Sequence, residues 1–206
     1  MEIYAIFDGH GGFSAAEFAS CLLVPQVQNQ LASSHGEDQI INTFGNLQKM
    51  IEDSISDRSG STAALYIETR GKSIFSWVGD SSILGIDECS EMRESISKNG
   101  AVITGSKGNY RVNGELGVAR ALGKSGPRPA ISAKPSVREF SSSVIKDRYK
   151  WICLVTDGVT DVLSLKQIAG LVQGKPESPS INVLKSALAA GAADNLSCIV
   201  VEIRGD

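Results

Sequence analysis

The residues of this chain best suited to chemistry are aspartates, and they sit in four short turns. Asp8-Gly9-His10 begins after the apolar run EIYAIF, Gly79-Asp80-Ser81 follows SIFSWV, and Asp157-Gly158-Val159-Thr160-Asp161 follows KWICLVT. The fourth, Asp194-Asn195, precedes LSCIVVEI. Aspartate is a short, hard oxygen donor suited to Mg²⁺ or Mn²⁺. Several such groups at strand ends can converge on a pair of ions ~3.5–4 Å apart, which together hold a phosphate oxygen and a bridging water. Gly9 lets the backbone turn sharply or approach an ion with no Cβ in the way. Taken singly, each turn is ordinary, because Asp-Gly and Asp-Asn are common loop dipeptides. Four of them, each abutting an apolar strand, favour the metal reading.

Hydrophobic periodicity gives the elements that must position these turns. Residues 2–7, 62–67, 73–78, 150–156 and 196–203 read as strands, the last being the clearest. Residues 13–30, 163–172 and 181–190 read as helices. Residues 38–56 place Ile41, Phe44, Leu47, Ile51 and Ile55 at three- and four-residue steps, a strongly amphipathic helix. A short helix is expected over 87–99, closed by Asn99-Gly100. Residues 104–114 (TGSKGNYRVNG) read as a loop and 116–122 as a brief apolar stretch; 125–136, with three prolines, is not regular helix. Strand pairs clustered apart from helices indicate a single α+β domain over 1–206 rather than regular β-α-β alternation.

Composition removes several function classes. The chain has 206 residues, 42% of them hydrophobic, enough for one domain with a sizeable core. Its formal net charge is −3 and it has no Lys/Arg-rich run, so nucleic acid is not an expected partner. No segment approaches ~20 apolar residues, so no membrane span is expected, and the first residues do not read as a signal peptide. Cys21, Cys89, Cys153 and Cys198 form no CxxC pair, and with two histidines in the chain a zinc site is not expected. Cys153 and Cys198 fall in apolar runs and are expected to act as small buried hydrophobes. An intracellular, reducing compartment fits, with cytoplasm or nucleus ahead of an organelle.

Six stretches in order, IFDGHGG (6–12), SGSTAAL (59–65), VGDSSIL (78–84), RVNGELGVARALG (111–123), VTDGVTDVL (155–163) and DNLSCIVV (194–201), resemble the PP2C-type (PPM) metal-dependent serine/threonine protein phosphatases. The resemblance implies a four-layer αββα sandwich of two mostly antiparallel sheets flanked by helices. It implies Mg²⁺ or Mn²⁺ as cofactor, with two ions in the family and at least one expected here. The matching ligand positions are Asp8, the carbonyl of Gly9, Asp157 and Asp194, with Asp80 and Asp161 tied to a third metal site. His10 matches the general acid that protonates the leaving alkoxide, chemistry a nearby imidazolium can perform. The partners implied are phosphorylated protein substrates, and a monomer is expected. The SGSTA stretch is read as structural, opening a strand with small residues. Arg120 either orders a loop over the site or pairs with a carboxylate.

Three departures from the family pattern shape the expectation. Family members carry, upstream of DGHGG, a strand with an Arg-x-x-x-Glu-Asp stretch that clamps the phosphate and ligates the second metal. With Met1 six residues ahead of Phe7, that N-terminal strand is expected to be missing, and the phosphate-binding residue is unassigned. The connection at 85–91 is short and lacks the family's LT-x-DH-like stretch. Lys124 stands where the family has an acid, and Ser82 where it has an arginine. The leading function is hydrolysis of phosphoserine or phosphothreonine by a metal-activated water. The alternatives are a pseudophosphatase that keeps the fold as an interaction module, and a cation-binding domain without phosphate chemistry.

Overall fold

The computed structural model of the chain describes residues 1–33, 36–87, 92–95, 120–124, 131–173 and 178–204. The chain opens with β1 (Glu2–Ile6), β2 (Gly9–His10), α1 (Ser14–Ser33) and α2 (Glu37–Ser54). It continues with β3 (Gly60–Ser61), β4 (Ala63–Glu68), β5 (Lys72–Val78), β6 (Ser82–Ile86), β7 (Met92–Ser95) and β8 (Leu122–Gly123). Then follow β9 (Ser136–Ser141), α3 (Ser142–Arg148), β10 (Trp151–Val155) and α4 (Asp157–Thr160). The last described elements are α5 (Leu165–Gln173), α6 (Pro179–Ala189) and β11 (Cys198–Glu202).

Two four-stranded antiparallel sheets, ordered β1-β4-β5-β9 and β11-β10-β6-β7, stack face to face. Strand periodicity explains the layering, because alternate side chains leave a strand on opposite faces. In β4 and β5, Leu65, Ile67, Ile74 and Val78 face α1 and α2, where they meet Leu23, Val27, Phe44, Leu47 and Ile51. Their neighbours Tyr66, Phe75 and Trp77 face the other sheet and pack on Ile83, Ile152 and Leu154. On the far side of the second sheet, Leu84, Ile86, Cys153 and Val155 pack against Val159, Ile168, Val172, Val183 and Ala187 of α4, α5 and α6. The result is helix, sheet, sheet, helix, as expected. Each fully buried Leu, Ile or Phe in these layers contributes about 1.5–3 kcal/mol.

Several elements differ from the sequence reading. The helix expected over 87–99 is corrected at 92–95, where β7 pairs with β6 and extends the second sheet. Residues 88–91 and 96–99 lie outside the described residues, as do Cys89, the 104–114 loop, residues 116–119 of the 116–122 stretch and residues 125–130 of the 125–136 stretch. β9 and α3 were not anticipated, since neither carries a strong apolar period: β9 is an edge strand whose Glu139 pairs with Lys72 at 2.5 Å, and α3 buries only Ser142 and Ile145. β11, the most strand-like sequence, is also an edge strand and only half-buried, so Cys198 is not the buried hydrophobe expected, while Cys153 is. A small third sheet, β2-β3-β8, joins the Asp8 turn to the SGS stretch.

Candidate metal centre

Sheet register brings the four acidic turns to one end of the sandwich. The end of β1 pairs with the start of β4, Ile6 opposite Ala64, and the start of β4 pairs with the end of β5, Ala63 opposite Val78. In the second sheet, Val155 at the end of β10 lies opposite both Ser82, the start of β6, and Cys198, the start of β11. Asp8 therefore emerges just beyond β1, and Asp157 directly beyond β10 as the first residue of α4. Asp80 lies in the turn where the chain crosses from β5 in one sheet to β6 in the other, and Asp194 precedes β11.

The Asp8-Gly9-His10 turn is anchored by the SGS stretch. Gly9 pairs with Ser61 and His10 with Gly60. Just before that stretch, Asp57 binds both sides of the turn's exit. Its carboxylate accepts from Ser14 Oγ at 2.6 Å, from Ser59 N at 3.0 Å and from Ser59 Oγ at 2.5 Å, and these hydrogen bonds, Ser14 first, hold its pKa below the ordinary range. Ser59 Oγ in turn accepts from the Ala15 amide at 3.0 Å, which fixes the start of α1 beside the histidine. Asp57 was missed in the sequence because an acid two residues before SGSTA reads as a solvated loop residue.

The acids act on one another through Asp157. Burial, a hydrogen bond to Asp157 and the charges of Asp157, Asp194 and Asp80 raise the Asp8 pKa to about 7. Burial and the charges of Asp157 and Asp161 raise Asp80 to about 6, against a backbone hydrogen bond. Asp161 is also raised, by burial and then by Asp157 and Asp194. Burial lowers the His10 pKa, and Asp157 opposes that shift. Every sequence-predicted side chain, Asp8, His10, Asp80, Asp157, Asp161 and Asp194, thus belongs to one electrostatic group. Gly9 lies within β2, at the same turn.

Does this group suit a divalent cation? Oδ1 of Asp157 is buried with no hydrogen-bond partner among the described residues. An orphaned buried carboxylate oxygen is costly unless a ligand meets it. The donor set is all oxygen, as a hard cation requires. Among the described residues no group of three or more His, Cys, Asp or Glu side chains is already arranged to hold an ion. Instead, Asp157 lies close enough to Asp8 to help raise its pKa to about 7. The chemistry of the donors fits Mg²⁺ or Mn²⁺, and a bound cation would displace the proton that this proximity favours on Asp8.

Lys124, one of the two charge departures, and Arg120 now have structural places. Lys124 Nζ donates to the carbonyl of Ile55 at the end of α2, and its amide donates to Ser59 O at 2.8 Å, so it tethers the α2–β3 connection. Arg120 donates from Nη1 to Ser136 Oγ at 2.7 Å and has no carboxylate partner among the described residues. Its contact is to the start of β9, which favours an ordering role over an ion pair.

The chain matches the family described as Protein phosphatase 2C over residues 1–196. Probable protein phosphatase 2C 7 of Oryza sativa subsp. japonica is 30% identical over 223 residues, covering 98% of this chain and 58% of that protein. Probable protein phosphatase 2C 76 of Arabidopsis thaliana is 31% identical over 227 residues, covering 99% of this chain and 52% of that protein. The chain therefore spans little more than half the length of these curated relatives. Among solved structures, a C. elegans sex determining protein superposes with a TM-score of 0.83 at 25% identity, over 98% of this chain and 56% of that one. The serine-threonine phosphatase 2C from Toxoplasma gondii gives a TM-score of 0.78 at 21% identity, over 98% of this chain and 84% of that one. The chain belongs to the protein phosphatase 2C family.

Proposed function

We propose that this chain hydrolyses phosphoserine and phosphothreonine on protein substrates by direct attack of water, with no phospho-enzyme intermediate. The observation that carries the reading is the meeting of Asp8, Asp80, Asp157 and Asp194 at one end of the sandwich, with Asp157 Oδ1 buried and without a partner among the described residues. Asp8, the Gly9 carbonyl, Asp157 and Asp194 would hold Mg²⁺ or Mn²⁺, and Asp80 and Asp161 would serve a further ion. Such ions supply charge neutralisation to the phosphate and acidity to a bound water.

The chain's own residues provide the proton and the order. A serine or threonine alkoxide leaves poorly, and His10 is the group available to protonate its oxygen. Burial weakens the imidazole as a base and the Asp157 charge restores part of its proton affinity. The β2–β3 pairing holds His10 opposite Gly60, so its position is set by the sheet rather than by a free loop.

Phosphate release from a phosphothreonine peptide, measured in Mn²⁺ and in EDTA, tests the reading. Release is expected in Mn²⁺ only, and Asp157→Asn should lower it at least ~100-fold, the scale of a lost charge-stabilising group. Release that persists in EDTA would overturn the metal reading. A folded chain that binds Mn²⁺ and releases no phosphate would leave a non-hydrolytic interaction module.

A further inference from the structure

The two sheets end in the same way. The register of β1 with β4 carries Asp8 opposite Thr62, and that of β10 with β11 carries Thr156 opposite Ser197. In a hydrogen-bonded antiparallel pair each residue gives its N–H to the other's carbonyl. Half of each rung is regular here: Thr62 N donates to Asp8 O at 2.9 Å, and Thr156 N donates to Ser197 O at 3.2 Å. The return bond goes to the threonine hydroxyl instead. Asp8 N donates to Thr62 Oγ1 at 3.1 Å, and Ser197 N donates to Thr156 Oγ1 at 3.0 Å.

A hydroxyl offers one donor and two acceptor positions, so each threonine has a contact to spare. Thr62 Oγ1 shares a hydrogen bond with Ser81 Oγ at 2.7 Å, in the residue after Asp80. Thr156 Oγ1 donates to the Asn195 carbonyl at 3.4 Å, in the residue after Asp194. Both threonines are 2% exposed, so water does not compete. In both places a glycine permits the approach. Gly79 has φ 95, and a Cβ on it would lie 2.6 Å from Thr62 Cγ2; a Cβ on Gly158 would lie 2.5 Å from the Asn195 oxygen.

We infer that Thr62 and Thr156 are positioning residues, two hydroxyl rungs that tie the aspartate turns into pairs, Asp8 with Asp80 and Asp157 with Asp194, before any cation binds. The inference rests on the metal reading proposed above. Converging carboxylates repel one another, and these uncharged, buried bonds hold their backbones in place against that repulsion. Valine at either position keeps the shape but strands the amide of Asp8 or Ser197 and frees the neighbouring turn. Serine keeps the hydroxyl.

Calorimetric titration of Mn²⁺ into the wild type, Thr62→Val, Thr62→Ser, Thr156→Val and Thr156→Ser decides the matter, with near-UV circular dichroism as the check on folding. Each valine variant is expected to bind about tenfold or more weakly, the usual effect of removing a group that orients metal ligands. Each serine variant is expected to stay within about threefold of the wild type on the same reasoning. Ser81→Ala removes only the second contact of Thr62, and it is expected to bind measurably more weakly than the wild type. Should a valine variant fail to fold, Ser81→Ala decides in its place, and wild-type affinity there would count against the inference. Folded valine variants with wild-type affinity would overturn it. A wild-type chain that takes up no Mn²⁺ would overturn the metal reading first, and the inference with it.

Discussion

Asp157→Asn is expected to stabilise the metal-free protein and to weaken its response to metal. Asp157 acts on Asp8 by a hydrogen bond and by charge, and on Asp80, Asp161 and His10 by charge. Asp8 has a folded pKa of about 7 against an ordinary 3.8. The folded state therefore keeps a proton that the unfolded chain loses, and native stability falls as pH rises from about 4 to about 7. Above that window Asp8 and Asp157 face each other as charges. At about 4 Å and an effective dielectric near 20 the repulsion is about 4 kcal/mol. Asp8 is only half-buried, and solvent screening reduces this to about 1–2 kcal/mol. Removing the Asp157 charge should then raise the melting temperature in EDTA at pH 8 by about 2–8 °C for a domain of this size. Near pH 5 the gain should shrink, because Asp8 is already protonated. In Mn²⁺ the variant loses a charged ligand; a tenfold drop in affinity, about 1.4 kcal/mol, would cancel that gain, and a hundredfold drop, about 2.8 kcal/mol, would reverse the order. Thermal melts at both pH values, in EDTA and in saturating Mn²⁺, check the crossing. A variant that melts below the wild type in EDTA at pH 8 would refute the reasoning and make Asp157 an ordinary structural acid.

Two further perturbations probe the acid and the packing of the turns. His10→Ala should slow hydrolysis of a phosphothreonine peptide at least ~10-fold more than that of an aryl phosphate, whose phenolate leaves without a proton; equal losses in a steady-state assay on both substrates would remove His10 from the acid role. Gly158→Ala puts a methyl group against the Asn195 carbonyl; it should cost about 1–3 kcal/mol in denaturant unfolding, and an unchanged unfolding midpoint would show that the two turns are not packed as described.

How much of this was legible in the sequence follows from where side chains alone decide structure. The layers were legible because the α2 period Phe44, Leu47, Ile51 and the doubly apolar strands β4, β5 and β10 leave few other ways to bury their surface. The aspartates were legible because a turn directly after an apolar strand is a local feature, and the family resemblance gave them roles. β9 and α3 were not, since β9 is held by its pairing with β5 and α3 buries only Ser142 and Ile145. The strand at 92–95 was mistaken for helix because its partner, β6, decides its conformation. Thr62 and Thr156 looked like strand residues; their hydroxyl rungs appear only once the register sets Asp8 and Ser197 opposite them. The exposure of β11 was hidden for the same reason, because an edge position is a property of the sheet and not of the strand.

Diffraction from crystals grown in Mn²⁺, with data collected near the manganese absorption edge, tests the central claim most directly. An anomalous-scattering peak is expected within coordination distance of carboxylate oxygens of Asp8, Asp157 and Asp194. Saturating Mn²⁺ with no peak at those three aspartates, or with a peak only elsewhere on the chain, would contradict the account.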